Sequence, residues 1–143
     1  MITYVDSSAL IAWFHPDDEF AAVVTQWVRG TVTEFLWNPI LRLEVRHNLR
    51  KLRSPYATTA WNALRAAERS RLRFGRDQLR AIIDDADELS AKHAGSSPAG
   101  TLDYFHVAAA LRQRAEAFAT CDKLHAELAT TANLPHVKLF GAS

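Results

Sequence analysis

The chain has 143 residues, 48% of them hydrophobic, and its 17 basic and 16 acidic side chains leave a formal net charge of +1. That size buries a core without disulfides or a structural metal, so a single domain over residues 1–143 is expected. One cysteine, Cys121, excludes an intramolecular disulfide framework and a cysteine-rich zinc site.

No apolar run nears the ~20 residues of a membrane helix. Met1-Ile2-Thr3-Tyr4-Val5-Asp6 lacks the basic start and long apolar stretch of a signal peptide, so a soluble, cytoplasmic protein without membrane contact is expected. Ile2 to Val5 reads as a strand. Ser7 to Phe14 reads as a helix capped by Asp6 or Ser7 and ended by Pro16. A second helix is predicted from about Asp17 to Arg29, where Phe20, Val23, Val24, Trp27 and Val28 recur at helical spacing and Gly30 supplies a stop.

Glu34 to Trp37 reads as a short strand, and Asn38-Pro39 as a cap and first-turn proline opening a helix from Ile40 to Arg53. Helices are predicted from Tyr56 to Leu72 and from Asp77 to Ala94, separated by Phe74-Gly75. Gly95 to Gly100 forms a loop too short to link domains. The last third alternates: helix from Leu102 to Ala115, strand from Ala117 to Cys121, helix from Asp122 to Ala132, strand from Val137 to Phe140. Strands separated by helices predict a parallel α/β sheet.

Against this frame four acidic residues stand out. Asp6 and Asp122 each follow a strand where it passes into a helix, which in a parallel sheet is the ligand-binding edge. Glu44 borders the apolar stripe of Leu41, Val45, Leu49 and Leu52. Asp103 lies just inside an otherwise apolar helix, at its second position if Thr101 is the cap. Brought to ~4 Å, each charged pair would repel by roughly 4 kcal/mol at an effective dielectric near 20. Such a cluster binds cations or holds protons. Hard oxygen ligands without clustered Cys or His point to magnesium or manganese and to phosphodiester hydrolysis. Helix capping accounts for the same aspartates individually, so the residues alone leave both readings open.

The motifs Tyr4-Val5-Asp6-Ser7-Ser8-Ala9-Leu10, Leu43-Glu44-Val45, Leu102-Asp103-Tyr104-Phe105-His106-Val107-Ala108-Ala109-Ala110 and Thr120-Cys121-Asp122-Lys123-Leu124 resemble, in order and end to end, those of the PIN-domain family in its VapC-type toxin branch. The resemblance implies a three-layer α/β/α sandwich around a mainly parallel sheet of four to five strands. It also implies a magnesium- or manganese-dependent endoribonuclease, the toxin of a type II toxin-antitoxin pair. Catalytic and metal-binding positions carry over onto Asp6, Glu44, Asp103 and Asp122, and the family's Ser/Thr position onto Thr120. The partners implied are RNA, a cognate VapB-type antitoxin and a second copy of the chain. Asn133 stands where a turn glycine is common, and asparagine tolerates the same left-handed cap.

Three features stay open at this stage. His106, one turn beyond Asp103, suits either a hydrogen bond to a carboxylate or plain packing. Arg42, Arg46, Arg50 and Arg53 form a basic row on a different face of their helix from Glu44, facing solvent, a polyanion such as RNA, or an acidic segment of an antitoxin. Cys121 and His125 have the i, i+4 spacing of a thiol catalyst, though no further motif supports one. The main alternative function is a non-catalytic module binding nucleic acid or an acidic peptide on the same fold.

Overall fold

A computed structural model of the protein describes residues 1–74 and 78–141. Gly75, Arg76 and Asp77, where the expected fifth helix begins, lie outside the described residues. The elements in chain order are β1 (Ile2–Val5), α1 (Ser7–Phe14), α2 (Ala21–Thr31), β2 (Glu34–Trp37), α3 (Pro39–Leu52), α4 (Ala57–Glu68), β3 (Leu72–Phe74), α5 (Leu79–His93), α6 (Thr101–Arg112), β4 (Ala117–Thr120), α7 (Lys123–Thr131) and β5 (Val137–Leu139).

The five strands form one sheet in the order β3-β2-β1-β4-β5, and each neighbouring pair is parallel. The chain runs from β1 outward to β3, then crosses back to β4 and continues to β5. With right-handed crossovers the two directions place their helices on opposite faces. The packing agrees: α1 meets α2, α3 and α4, while α6 meets α5 and α7. The result is the α/β/α sandwich with a parallel sheet expected from the sequence, and the strand order reverses between β1 and β4.

Tyr4, Val5, Phe35, Trp37 and Phe118 fill the sheet's contribution to the core. Helix α6 is buried from Tyr104 to Ala110 without a break, as expected of a helix that is apolar nearly all round, with the polar His106 inside that run. Trp37 is fully buried.

Several boundaries differ from the sequence reading. Helix α2 begins at Ala21, because Asp18 Oδ1 accepts the Phe20 N–H at 2.9 Å and holds residues 17–20 as a turn. Gly30 does not stop it; the Val32 N–H closes the last turn on Val28 one residue beyond Thr31. The helix expected to reach Leu72 ends at Glu68, and Leu72 opens β3, pairing with Phe35. The cap of α6 is Gly100, not Thr101, which puts Asp103 at the third helical position. Asn133 adopts φ 67, the left-handed conformation expected of it.

Candidate active site

The site lies beyond the carboxyl ends of β1 and β4, at the point where strand order reverses, which is where open α/β sheets bind ligands. Asp6 ends β1 and caps α1, accepting the Ala9 N–H at 3.0 Å. Its carboxylate is only 3% exposed and takes three more donors. Ser8 Oγ donates at 2.6 Å, His125 Nδ1 lies at 2.9 Å, and the Thr120 hydroxyl makes a short hydrogen bond. Burial alone would raise the carboxyl pKa. The hydrogen bond and charge of His125, with Ser8 and Thr120, outweigh it and hold Asp6 below its ordinary value.

Thr120 is buried at the end of β4 and works in both directions, donating to Asp6 and accepting the Asp122 N–H at 2.9 Å. Its hydroxyl therefore ties the first and last acidic residues together. Asp122 caps α7, accepting from Leu124 N at 2.9 Å and His125 N at 3.4 Å. Asp103 Oδ2 accepts the Gly100 N–H at 3.1 Å, and Oδ1 lies 3.6 Å from His125 Nδ1.

His125 thus meets three aspartates, Asp6 and Asp103 through its ring and Asp122 through its backbone N–H, a role the sequence reading did not give it. The signal was there. A residue three past a helix cap sits in the first turn, where side chains lean back toward the N-terminus and the capping carboxylate. Burial pulls the imidazole pKa down, but Asp6, Asp103 and Asp122 together raise it above its ordinary value. Cys121, by contrast, is pushed up to about 12, chiefly by burial and then by Asp6, so no thiolate nucleophile is poised there.

Glu44 reaches the same edge from α3 and faces a second buried histidine, with His106 Nε2 3.2 Å from its Oε1. The histidine's protonation follows from its neighbours. The Leu41 N–H can only donate, and it donates to Asn38 Oδ1 at 2.8 Å, which turns the Asn38 amide nitrogen toward Tyr4. Asn38 Nδ2 donates to the Tyr4 hydroxyl at 2.8 Å, leaving the phenolic proton for His106 Nδ1 at 2.6 Å. Burial keeps the Tyr4 pKa well above 10.0, so that proton stays on oxygen. With Nδ1 accepting, the imidazole proton is on Nε2, the nitrogen 3.2 Å from Glu44 Oε1. Burial raises the Glu44 pKa, but His106 and then Ser7 outweigh it and hold the carboxylate below its ordinary value. His106 is fully buried and faces a carboxylate, that of Glu44.

Tyr4→Phe is expected to break this relay, leaving Asn38 Nδ2 and His106 Nδ1 without partners at a cost of about 1–3 kcal/mol. Nitrogen NMR of His106 checks the assignment. The Nε2–H tautomer should dominate in the wild type and lose its preference in Tyr4→Phe; the same tautomer in both would remove the relay.

Carboxylate oxygens from Asp6, Glu44, Asp103 and Asp122 are donors of the kind magnesium and manganese take, so the set fits such an ion in its chemistry. Among the described residues, no group of three or more His, Cys, Asp or Glu side chains is spaced to hold an ion as it stands. His125 Nδ1 lies 2.9 Å from Asp6 Oδ2 and 3.6 Å from Asp103 Oδ1.

The PIN domain family model matches residues 3–130, and the chain belongs to that family. The fold is shared with the Mycobacterium tuberculosis toxin VapC20, described as cleaving the sarcin-ricin loop, at a TM-score of 0.70, 15% identity and coverage of 92% of this chain and 95% of that one. It is also shared with FitAcB from Neisseria gonorrhoeae at a TM-score of 0.63, 14% identity and coverage of 99% and 100%. A sequence search of curated proteins returned no match. Among the described residues, no helix is long and apolar enough to cross a membrane.

Proposed function

We propose that this PIN domain is a metal-dependent endoribonuclease acting as the toxin of a toxin-antitoxin pair. The observation that carries the reading is the gathering of Asp6, Asp103 and Asp122 around His125, with Glu44 held nearby through His106, all at the switch point of the sheet. Capping alone accounts for Asp6 and Asp122, but it does not require a buried histidine to be raised by three carboxylates, nor a relay that ends on a fourth.

Asp6, Glu44, Asp103 and Asp122 would hold magnesium or manganese, which when bound supplies Lewis acidity at the phosphate and lowers the pKa of an attacking water. The chain's own groups do the positioning. Ser8 and Thr120 fix the two oxygens of Asp6, the Tyr4–His106 relay keeps Glu44 ionised and oriented, and the Gly100 N–H holds one oxygen of Asp103. RNA as substrate, neutralisation by an antitoxin and pairing of two copies belong to the same proposal, by likeness to VapC20 and FitAcB.

Purified protein is expected to cut structured RNA with magnesium or manganese and to stop when EDTA is added. Expression alone should slow growth, and co-expression with a neighbouring antitoxin should relieve it. RNA bound but never cut, with either metal, would leave the binding module as the better account.

A further inference from the structure

The arginines of α3 do not share one environment. Glu68 neutralises two cations, Arg42 at 2.7 Å and Arg65 at 3.4 Å. Arg46, Arg50 and Arg53 have no carboxylate within ion-pair distance among the described residues. They surround a concavity of about 340 Å³ lined also by Ser54, Thr58 and Trp61. The charges repel one another there: Arg50 foremost, then burial and the charges of Arg42 and Arg65, lower the Arg46 guanidinium from its ordinary value.

Two further features mark this arrangement. Arg53 caps α3 in the left-handed conformation, φ 50 and ψ 29, where glycine or asparagine is favoured and other residues are disfavoured by roughly 1–2 kcal/mol. Arg42 and Arg46 both place their guanidinium carbons 4.9 Å from the centre of the Trp61 ring, so two cations share one aromatic side chain.

We propose that this pocket is a binding subsite for a backbone phosphate of single-stranded RNA, with the attached base resting on the guanidinium and indole planes. The proposal rests on the ribonuclease reading above. Unpaired guanidinium forks match phosphate oxygens, and stacked guanidinium and indole planes match an unpaired base. The same helix carries Glu44, so an RNA strand held here lies on the element that also reaches the acidic cluster. An acidic protein segment is the lesser match, because such segments also dock apolar anchors and the lining offers no aliphatic side chain beyond the buried Leu49 and the methyl of Ala57.

The test measures binding of a fluorescent oligouridylate by anisotropy in EDTA over a range of salt concentrations, comparing wild type with Arg46→Gln/Arg50→Gln/Arg53→Gln. The variant should bind roughly tenfold or more weakly at low salt, and the slope of log affinity against log salt should fall by about 0.7, the value for one phosphate contact on a single strand. The three side chains are at least partly exposed, and a melt confirms the fold. Unchanged affinity and slope would overturn the subsite, as would a wild type that fails to bind. Loss of polyglutamate binding with RNA binding intact would assign the pocket to an acidic polypeptide and overturn it too. Metal-dependent cleavage by the wild type is scored separately, so a nuclease with an unchanged variant loses only the pocket, and a protein that cuts no RNA loses the ribonuclease reading.

Discussion

Asp103→Asn is expected to abolish metal-dependent RNA cleavage while changing stability by no more than about 0.5 kcal/mol, since asparagine serves a helix start about as well as aspartate. The amide oxygen can still accept the Gly100 N–H, but one ligand charge is gone, so metal affinity and water activation both fall. Considered among carboxylates alone, the substitution would relieve repulsion and stabilise the protein. His125 reverses that sign. Asp103 Oδ1 lies 3.6 Å from a histidine whose pKa it helps to raise, so neutralising it removes an attraction. The side chain is 27% exposed, and solvent screening keeps the loss small. Thermal melts beside a cleavage assay separate the possibilities: full activity in Asp103→Asn would exclude this residue from catalysis, and a clear gain in melting temperature would show that His125 is not its partner.

The elements that were legible in the sequence are those whose signals are local. Asp6 and Asn38 cap helices that follow strands, and an alternation of strand and helix after Gly100 leaves few topologies besides a parallel sheet. The errors fall where a local signal had two uses. The helix expected from about Asp17 is delayed by the turn that Asp18 holds, and Gly30 is tolerated near a helix end that needs no left-handed residue. Leu72 follows a short turn after α4 and begins a strand of three residues, Leu72–Phe74, too short for alternation to overrule helical spacing.

The four acids could be named from position and family likeness, but the groups that hold them could not. The relay joins β1 through Tyr4, the α3 cap through Asn38, α6 through His106 and α3 through Glu44, and no spacing within one element announces it. His125 was hidden by a nearer suggestion, its interval from Cys121. The fold turns its ring from the thiol toward Asp6, 119 residues away in the chain.

Replacing that histidine should have the largest effect on stability. His125 and Asp6 are 2% and 3% exposed and lie 2.9 Å apart, so His125→Gln leaves a buried carboxylate without its counter-charge. Removing one member of a buried pair costs about 3–5 kcal/mol, which lowers the melting temperature by roughly 10 °C for a chain of this size. The loss should depend on pH. The Asp6 pKa is depressed from 3.8, so its contribution is present above that value and fades as pH falls through the lower folded one. The His125 pKa is raised from 6.5, so its contribution is full below 6.5 and fades as pH rises through the higher folded one. The gap between wild type and variant should therefore be widest between pH 3.8 and 6.5 and narrow on either side. Manganese should raise the melting temperature of the variant more than that of the wild type, because a ligand stabilises most where no internal cation competes for the same carboxylates. Equal shifts in the two proteins would show that His125 and the metal do not share a site, and a pH-independent gap would show that the histidine acts by packing alone.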